Sequence, residues 1–311
     1  MELVRGLKSL KSDDRGAAVA VGNFDGVHLG HQALVRRTLE RATVSGARAL
    51  VLTFEPHPRE FLDPEHAPPR LMRIGDKCAA LAALGLERVV LVRFDARLQA
   101  LDPAEFIEQV LLAGLRTRHV VVGETFRFGC RRAGTIETLR VAGAVRGFEV
   151  VAVPSVQLDG APVSSTRVRT ALAAGDLATA ARLLGRDYAM GGRVVAGQRL
   201  GRELGYATAN IPVRRRLPLG GIFAVRVRGI AGHGARAAVA SLGTRPTIGG
   251  TEPVLEAHVF DFEGDLYGQR LEIDFIEKLR DEAKFPSLAA LVEQMDLDAA
   301  RAREILGCRA A

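Results

Sequence analysis

Short runs of small and β-branched residues recur through the first half of the chain, and each is followed by a stretch with helical spacing. Residues 17–21, 49–54, 88–94, 119–123 and 148–153 read as strands. Between them, 30–42 sets Ala33, Leu34 and Leu39 at helical intervals, and 76–84 reads as a further helix. Pro103 starts a helix carrying Phe106, Val110 and Leu111, and 136–145 reads as another. Apolar strands alternating with helices predict a parallel sheet covered on both faces, with ligands taken at the carboxyl ends of the strands. Two more helices, 166–173 and 177–184, are punctuated by Gly175 and Gly185.

From about Met190 the texture changes. Residues 191–195, 221–227, 237–241, 255–260 and 271–275 are short β-like runs with no helices between them, which predicts a small antiparallel barrel. Residues 288–295 and 298–306 read as closing helices. The expected organisation is an α/β domain over 1–186 and a barrel domain with a terminal helix over 187–311, in keeping with a length of 311 residues.

Composition narrows the class. With 48% hydrophobic and 25% charged residues the chain is expected to be globular, and no apolar run reaches membrane-spanning length. The first residues lack the apolar stretch of a secretory signal. Three cysteines, Cys78, Cys130 and Cys308, form no CxxC pair and no disulfide framework, which points to a reducing compartment, the cytoplasm. The net charge of +7 comes almost wholly from arginine; lysine stands only at 8, 11, 77, 278 and 284. The charge is dispersed, so an arginine bias spread over the surface is favoured over a polyanion-binding stripe.

The strand at 17–21 feeds the segment GNFDGVHLGHQ, residues 22–32. Gly22 and Gly26 allow close backbone approach to a ligand. His28 and His31, three apart, share one face at a helix N-terminus, where free N–H groups and the helix dipole favour anions. Two imidazoles there can donate to a phosphate whose charge grows in a transition state. A zinc reading is weaker, for there is no HExxH and no partner motif. Late in the same half comes Ser164-Ser165-Thr166-Arg167-Val168-Arg169, hydroxyls and arginine forks suited to a polyphosphate. The pair of motifs resembles the nucleotidylyltransferase superfamily, which implies a Rossmann-like domain. With Phe54-Glu55-Pro56-His57-Pro58 and Phe126-Arg127-Phe128-Gly129, the longer pattern resembles the prokaryotic bifunctional riboflavin kinase/FAD synthetases. That resemblance implies ATP and phosphate contacts at Gly22, Asn23, Phe24, Ser164, Ser165, Thr166, Arg167 and Arg169, with His28 and His31 catalytic. It implies flavin contacts at Phe54, Pro56, Phe126 and Phe128, although each phenylalanine taken singly reads equally well as core. His57, between two prolines, reads as conformational. Thr125 stands where the family usually carries Asp or Asn before FRFG, and its hydroxyl lacks the reach of an amide or carboxylate.

In the second half, glycines at 197, 201 and 205 could cradle phosphates, although a tight β corner is the commoner meaning and no GxxxxGK[ST] is present. The stretch to Asn210 is similar to the riboflavin kinase motif GxPTAN, with Ala207 in place of the proline. The resemblance implies that Thr208 and Asn210 bind Mg²⁺ and ATP phosphates together with Gly197 and Gly201. It further implies that Glu256 is the general base and that Arg280 belongs to the flavin site. The implied substrates are riboflavin, FMN and ATP, with Mg²⁺ required alongside ATP, and flavins as substrates and products, not prosthetic groups. No nucleic-acid or membrane partner is expected. Two alternatives stay open: a chain retaining one of the two activities, and a non-catalytic barrel that binds nucleic acid. The second would need aromatic stacking platforms, which Tyr and Phe supply sparsely here.

Overall fold

The computed structural model describes residues 1–197, 206–213, 215–244 and 253–308. By packing, the chain divides into two units, Met1–Pro68 with Arg73–Ser164 and Pro69–Met72 with Ser165–Ala311.

The first unit runs β1 (Glu2–Arg5), β2 (Ala18–Val21), α1 (Leu29–Ser45), β3 (Ala49–Glu55), α2 (Pro58–Leu62), α3 (Ile74–Ala82), β4 (Arg88–Arg93), α4 (Ala96–Ala100), α5 (Pro103–Phe106), β5 (His119–Gly123), α6 (Ile136–Arg146) and β6 (Glu149–Val153), followed by a small hairpin of β7 (Gln157–Leu158) and β8 (Ala161–Pro162). The six main strands form one parallel sheet in the order β1-β4-β3-β2-β5-β6. Every residue of β2 is buried, as a strand covered on both faces requires. The expected parallel α/β domain is therefore present. Two features went unpredicted. Strand β1, Glu-Leu-Val-Arg, buries only Val4 and lies at the sheet edge against β4. Its end is tied by Arg88, whose guanidinium lies 2.9 Å from the fully buried Asp14 and 3.0 Å from Glu2. After α5 the chain continues as a π-helix over Ile107–Gly114, which still buries Ile107, Val110 and Leu111.

Strand order locates the active end of this sheet. The chain builds outward from β2 through β3 to β4, then returns to place β5 on the other side of β2. The β2/β5 junction is thus the topological switch point, where a crevice opens beyond the carboxyl ends of the strands. Residues 22–28 leave β2 there, and Glu124–Phe128 leave β5 beside them.

The second unit contains α7 (Ser165–Ala173), α8 (Leu177–Leu184), β9 (Tyr188–Arg193), β10 (Ala209–Pro212), β11 (Gly221–Arg228), β12 (Arg236–Thr244), β13 (Pro253–Val259), β14 (Arg270–Arg280) and α9 (Leu288–Leu306). All strand pairs are antiparallel, in the order β10-β13-β12-β11-β14-β9. A bridge from Val195 to Asn210 brings the chain after β9 against β10 and nearly closes the barrel. Phe223, Leu242, Leu255, Ile273 and Phe275 are buried in it, and a separate cluster joins Ala224 and Phe260 to Ala302 and Leu306 of α9. Packing groups α7 and α8 with this unit, before the sequence-based boundary at 186. Helix α9 is continuous through the expected break at 296–297, because Asp298 is buried and bonded to Arg280 instead of capping a new helix.

Candidate active sites

At the switch point, His28 is the N-cap of α1: its Nδ1 accepts the His31 backbone N–H at 3.4 Å. That bond assigns the ring proton to Nε2, so neutral His28 presents a donor at its far edge. His31 stacks on His28 with centroids 3.7 Å apart and planes 20° from parallel, and Phe24, fully buried, lies 5.1 Å from His31. Burial holds His31 well below the ordinary histidine range, aided by its neighbours His28 and Lys77. The glycine between the histidines has a steric reason: a Cβ at Gly30 would come within 3.2 Å of the His28 ring. The turn itself is bent. Phe24 (φ 48°) and Val27 (φ 44°) occupy the left-handed region without being glycine, on the order of 1–3 kcal/mol of strain each. Thr53 and Lys77 donate to the Asn23 carbonyl at 3.1 and 2.7 Å, two residues that sequence reading did not single out.

Leaving β5, Phe126 and Phe128 stack with centroids 5.7 Å apart, as residues two apart on an extended run should. Their environments differ. Phe128 is core, packed on Phe106 and against Gly134, where a Cβ would lie 2.6 Å from the ring. Phe126 is half-buried and lines a cavity of ≈ 480 Å³ with Glu124, Thr125, Arg127, Thr135 and Arg140. Phe54 is half-buried at the end of β3, edge-on to Phe94, and Pro56 follows a cis peptide. The His57 Nδ1 accepts from Arg59 N–H at 3.2 Å, a helix cap for α2 and thus a conformational role. Ser164 closes the first unit. Ser165, Thr166, Arg167 and Arg169 form the first turns of α7 in the second, where Arg169 Nε donates to Pro69 O at 2.6 Å.

In the barrel, cross-strand register brings two residues of the sequence pattern together. Glu256 of β13 lies directly opposite Asn210 of β10 on one side and Ser241 of β12 on the other. Leu255, Ala257 and Val259 are buried on the alternate face, so Glu256 and Asn210 share the other one. Glu256 is nonetheless only 9% exposed, unlike a solvated strand carboxylate. The Asn210 amide nitrogen donates to Thr208 O at 3.2 Å and reaches Thr208 Oγ1 at 3.5 Å. Gly197 packs against Asn210; a Cβ there would lie 2.7 Å from Cγ, Nδ2 and Oδ1. Gly201 lies outside the described residues. Arg280 at the end of β14 is committed to α9: Nε lies 3.0 Å from both Asp298 oxygens, Nη2 donates to Oδ2 at 2.6 Å, and Nη1 donates to Asp281 O. Tyr206 donates its hydroxyl to Asp296, also on α9. Burial and that acidic partner push the Tyr206 phenol up to about 12.

Two family models cover the chain. The FAD synthetase model matches residues 10–167 and the riboflavin kinase model matches 184–306. The bifunctional riboflavin kinase/FMN adenylyltransferase of Pseudomonas fluorescens is 47% identical over 98% of each chain. That of Escherichia coli K12 is 41% identical, covering 99% of this chain and 98% of its own. The chain belongs to the bifunctional riboflavin kinase/FMN adenylyltransferase family. A solved structure described as a macrolide-efflux protein from Streptococcus pneumoniae shares the fold, at 30% identity, 96% coverage of each chain and a TM-score of 0.81. Among the described residues of this chain no helix is long and apolar enough to cross a membrane.

Both departures from the family pattern have structural settings. Thr125 sits in the wall of the cavity beside Phe126, where a hydroxyl replaces a longer polar side chain. At Ala207 the turn lacks the ring that would fix φ. It is pinned instead by His258, whose Nδ1 donates to the Ala207 carbonyl at 3.0 Å and whose ring meets Tyr206 edge-on at 4.9 Å.

Proposed function

We propose that the two activities are divided between two sites, the histidine turn serving FMN adenylylation and the barrel serving riboflavin phosphorylation. The chain is a bifunctional riboflavin kinase and FMN adenylyltransferase, acting on riboflavin, FMN and ATP. The observation that carries the division is the stacked His28–His31 pair at the N-terminus of α1, seated at the switch point of a parallel sheet.

In adenylylation an FMN phosphate oxygen attacks the α-phosphorus of ATP and pyrophosphate leaves, so the protein supplies no nucleophile. His28 and His31, as neutral donors, meet the charge that builds on the phosphorus oxygens. Gly22, Asn23 and Phe24 form the turn against the nucleotide. Ser164, Ser165, Thr166, Arg167 and Arg169 are assigned to the polyphosphate, and Phe54, Pro56, Phe126 and Phe128 to the flavin face. Phe128 acts through Phe126, because its own ring is core.

In phosphorylation the riboflavin 5′-hydroxyl attacks the γ-phosphorus and Glu256 takes its proton. The Thr208 hydroxyl and the Asn210 amide oxygen are hard neutral ligands, which suit Mg²⁺; the amide nitrogen is already engaged by Thr208. Mg²⁺, when bound, offsets phosphate charge. Gly197 is assigned to the same phosphate segment, as the sequence motif also assigns Gly201. We also read the protein as cytoplasmic, a reading supported by three unpaired cysteines.

Chromatography of flavins formed separately from riboflavin and from FMN tests the division. His31→Ala should cost roughly 10²–10³ in FAD formation and spare FMN formation. Glu256→Gln should cost roughly 10²–10⁴ in FMN formation and spare FAD formation from supplied FMN. Equal losses in both reactions by a folded variant would contradict the division.

A further inference from the structure

Lysine stands at five positions in this arginine-rich chain, and Lys77 of α3 is only 6% exposed. Burying an ammonium group is costly, and a glutamine could donate a hydrogen bond from the same place without that cost. The Lys77 Nζ donates at 2.7 Å to the carbonyl of Asn23, 54 residues away in sequence. Thr53, fully buried on β3, donates to the same oxygen at 3.1 Å. Asn23 opens the turn in which Phe24 and Val27 hold left-handed backbone angles that their side chains disfavour. A bent turn of this kind persists only where its surroundings over-determine it. Here two donors from two different elements converge on one carbonyl, one residue before the bend.

We propose that Lys77 is a positioning residue for adenylyl transfer, which clamps the Asn23–Val27 turn through the Asn23 carbonyl and brings a fixed positive charge to the histidine turn. The inference rests on the assignment of His28 and His31 to that reaction. Around His31 stand the His28 ring stacked on it, the Phe24 ring beside it and the Lys77 charge from α3; the buried Asp25 belongs to the same turn. After burial itself, His28 and Lys77 are the groups that hold His31 below its ordinary range. Lys77 therefore acts in two separable ways, through a hydrogen bond that sets geometry and through a charge that keeps the imidazole neutral while favouring an anionic ligand.

Lys77→Gln and Lys77→Met in the full-length protein separate the two. The glutamine retains a donor for the Asn23 carbonyl and loses the charge, whereas the methionine loses both. FAD formation from FMN and ATP is followed together with the His31 ring titration by NMR, its resonance assigned by its absence from His31→Ala. The expected results are a roughly tenfold to hundredfold fall in kcat for Lys77→Met, a smaller fall for Lys77→Gln, and an upward move of the His31 titration in both. If Lys77→Met does not fold, Lys77→Gln decides through its titration and its rate. Wild-type rates in the folded variants, or a His31 titration that stays in place, overturn the proposal. A His31→Ala protein that forms FAD normally overturns instead the assignment on which it rests, whereas a silent His31→Ala beside normal Lys77 variants overturns the role of Lys77 alone.

Discussion

Gly197→Ala is a one-carbon perturbation of the proposed kinase site. The added Cβ would stand 2.7 Å from Cγ, Nδ2 and Oδ1 of Asn210, where ordinary contact begins at 3.4 Å. The backbone at Gly197 lies outside the left-handed region, so alanine brings no φ penalty there. The deficit of about 0.7 Å is met most cheaply by rotating the Asn210 amide, since the alternative is to move a barrel strand. Stability should then fall by about 1 kcal/mol, the low end for overpacking, while the proposed ligand oxygen and the amide nitrogen's bond to Thr208 O are misplaced by most of an ångström. Misplacement on that scale costs up to about 10² in rate, so FMN formation should drop roughly tenfold to a hundredfold. FAD formation from supplied FMN should not change. The assay is flavin chromatography from each substrate, with a thermal melt beside it. Wild-type FMN formation in a normally melting variant would show that the amide does not need its present place, and the role given to Asn210 would fall.

Two further expectations follow from charged groups. Asp298→Ala strands the Arg280 guanidinium, whose side chain is 23% exposed, and should cost about 2–3 kcal/mol after allowing for that exposure, or roughly 5–10 °C in the barrel's melting temperature. The riboflavin KM should rise with it, and a melt unchanged from wild type would refute the clasp. For His31, whose native value is depressed, the unfolded chain takes up a proton below about 6.5 while the native protein stays neutral to lower pH. Stability in urea should therefore fall as pH is lowered through that window, and His31→Gln should lack this part of the slope; identical slopes would refute it.

What the sequence made legible was whatever rests on local period or on short motifs. Strands β2 to β6 and helices α1, α6, α7 and α8 follow from apolar spacing, and HxGH from its place between a strand and a helix. Strand β1 was missed because only one of its four residues is buried. The break expected in α9 was wrong because Asp298, polar in sequence, is a buried partner of Arg280. The remaining site residues are long-range facts. Lys77 meets Asn23 across 54 residues, and Tyr206 meets Asp296 across 90. No periodicity encodes such pairs. The one signal was negative: a lone lysine inside an apolar helix, in a chain that otherwise uses arginine.

That preference for arginine also bears on how the phosphates are held. Arg88 is spent on Asp14, Arg228 on Asp274, Arg280 on Asp298 and Arg303 on Asp261, each fork facing a carboxylate. A guanidinium stays charged at any pH a protein tolerates and matches a carboxylate in two prongs, so it makes a dependable rivet between elements. Apart from Arg167 and Arg169, the groups assigned to the reacting phosphates are of another kind: the stacked imidazoles, of which His31 is kept neutral by burial and neighbouring charge, a helix N-terminus, a hydroxyl and an amide. Such donors and ligands stabilise charge as it builds without binding the ground-state polyphosphate so tightly that product is retained. On this reasoning these four arginines serve the structure, and the proposed chemistry at phosphorus rests largely on uncharged groups.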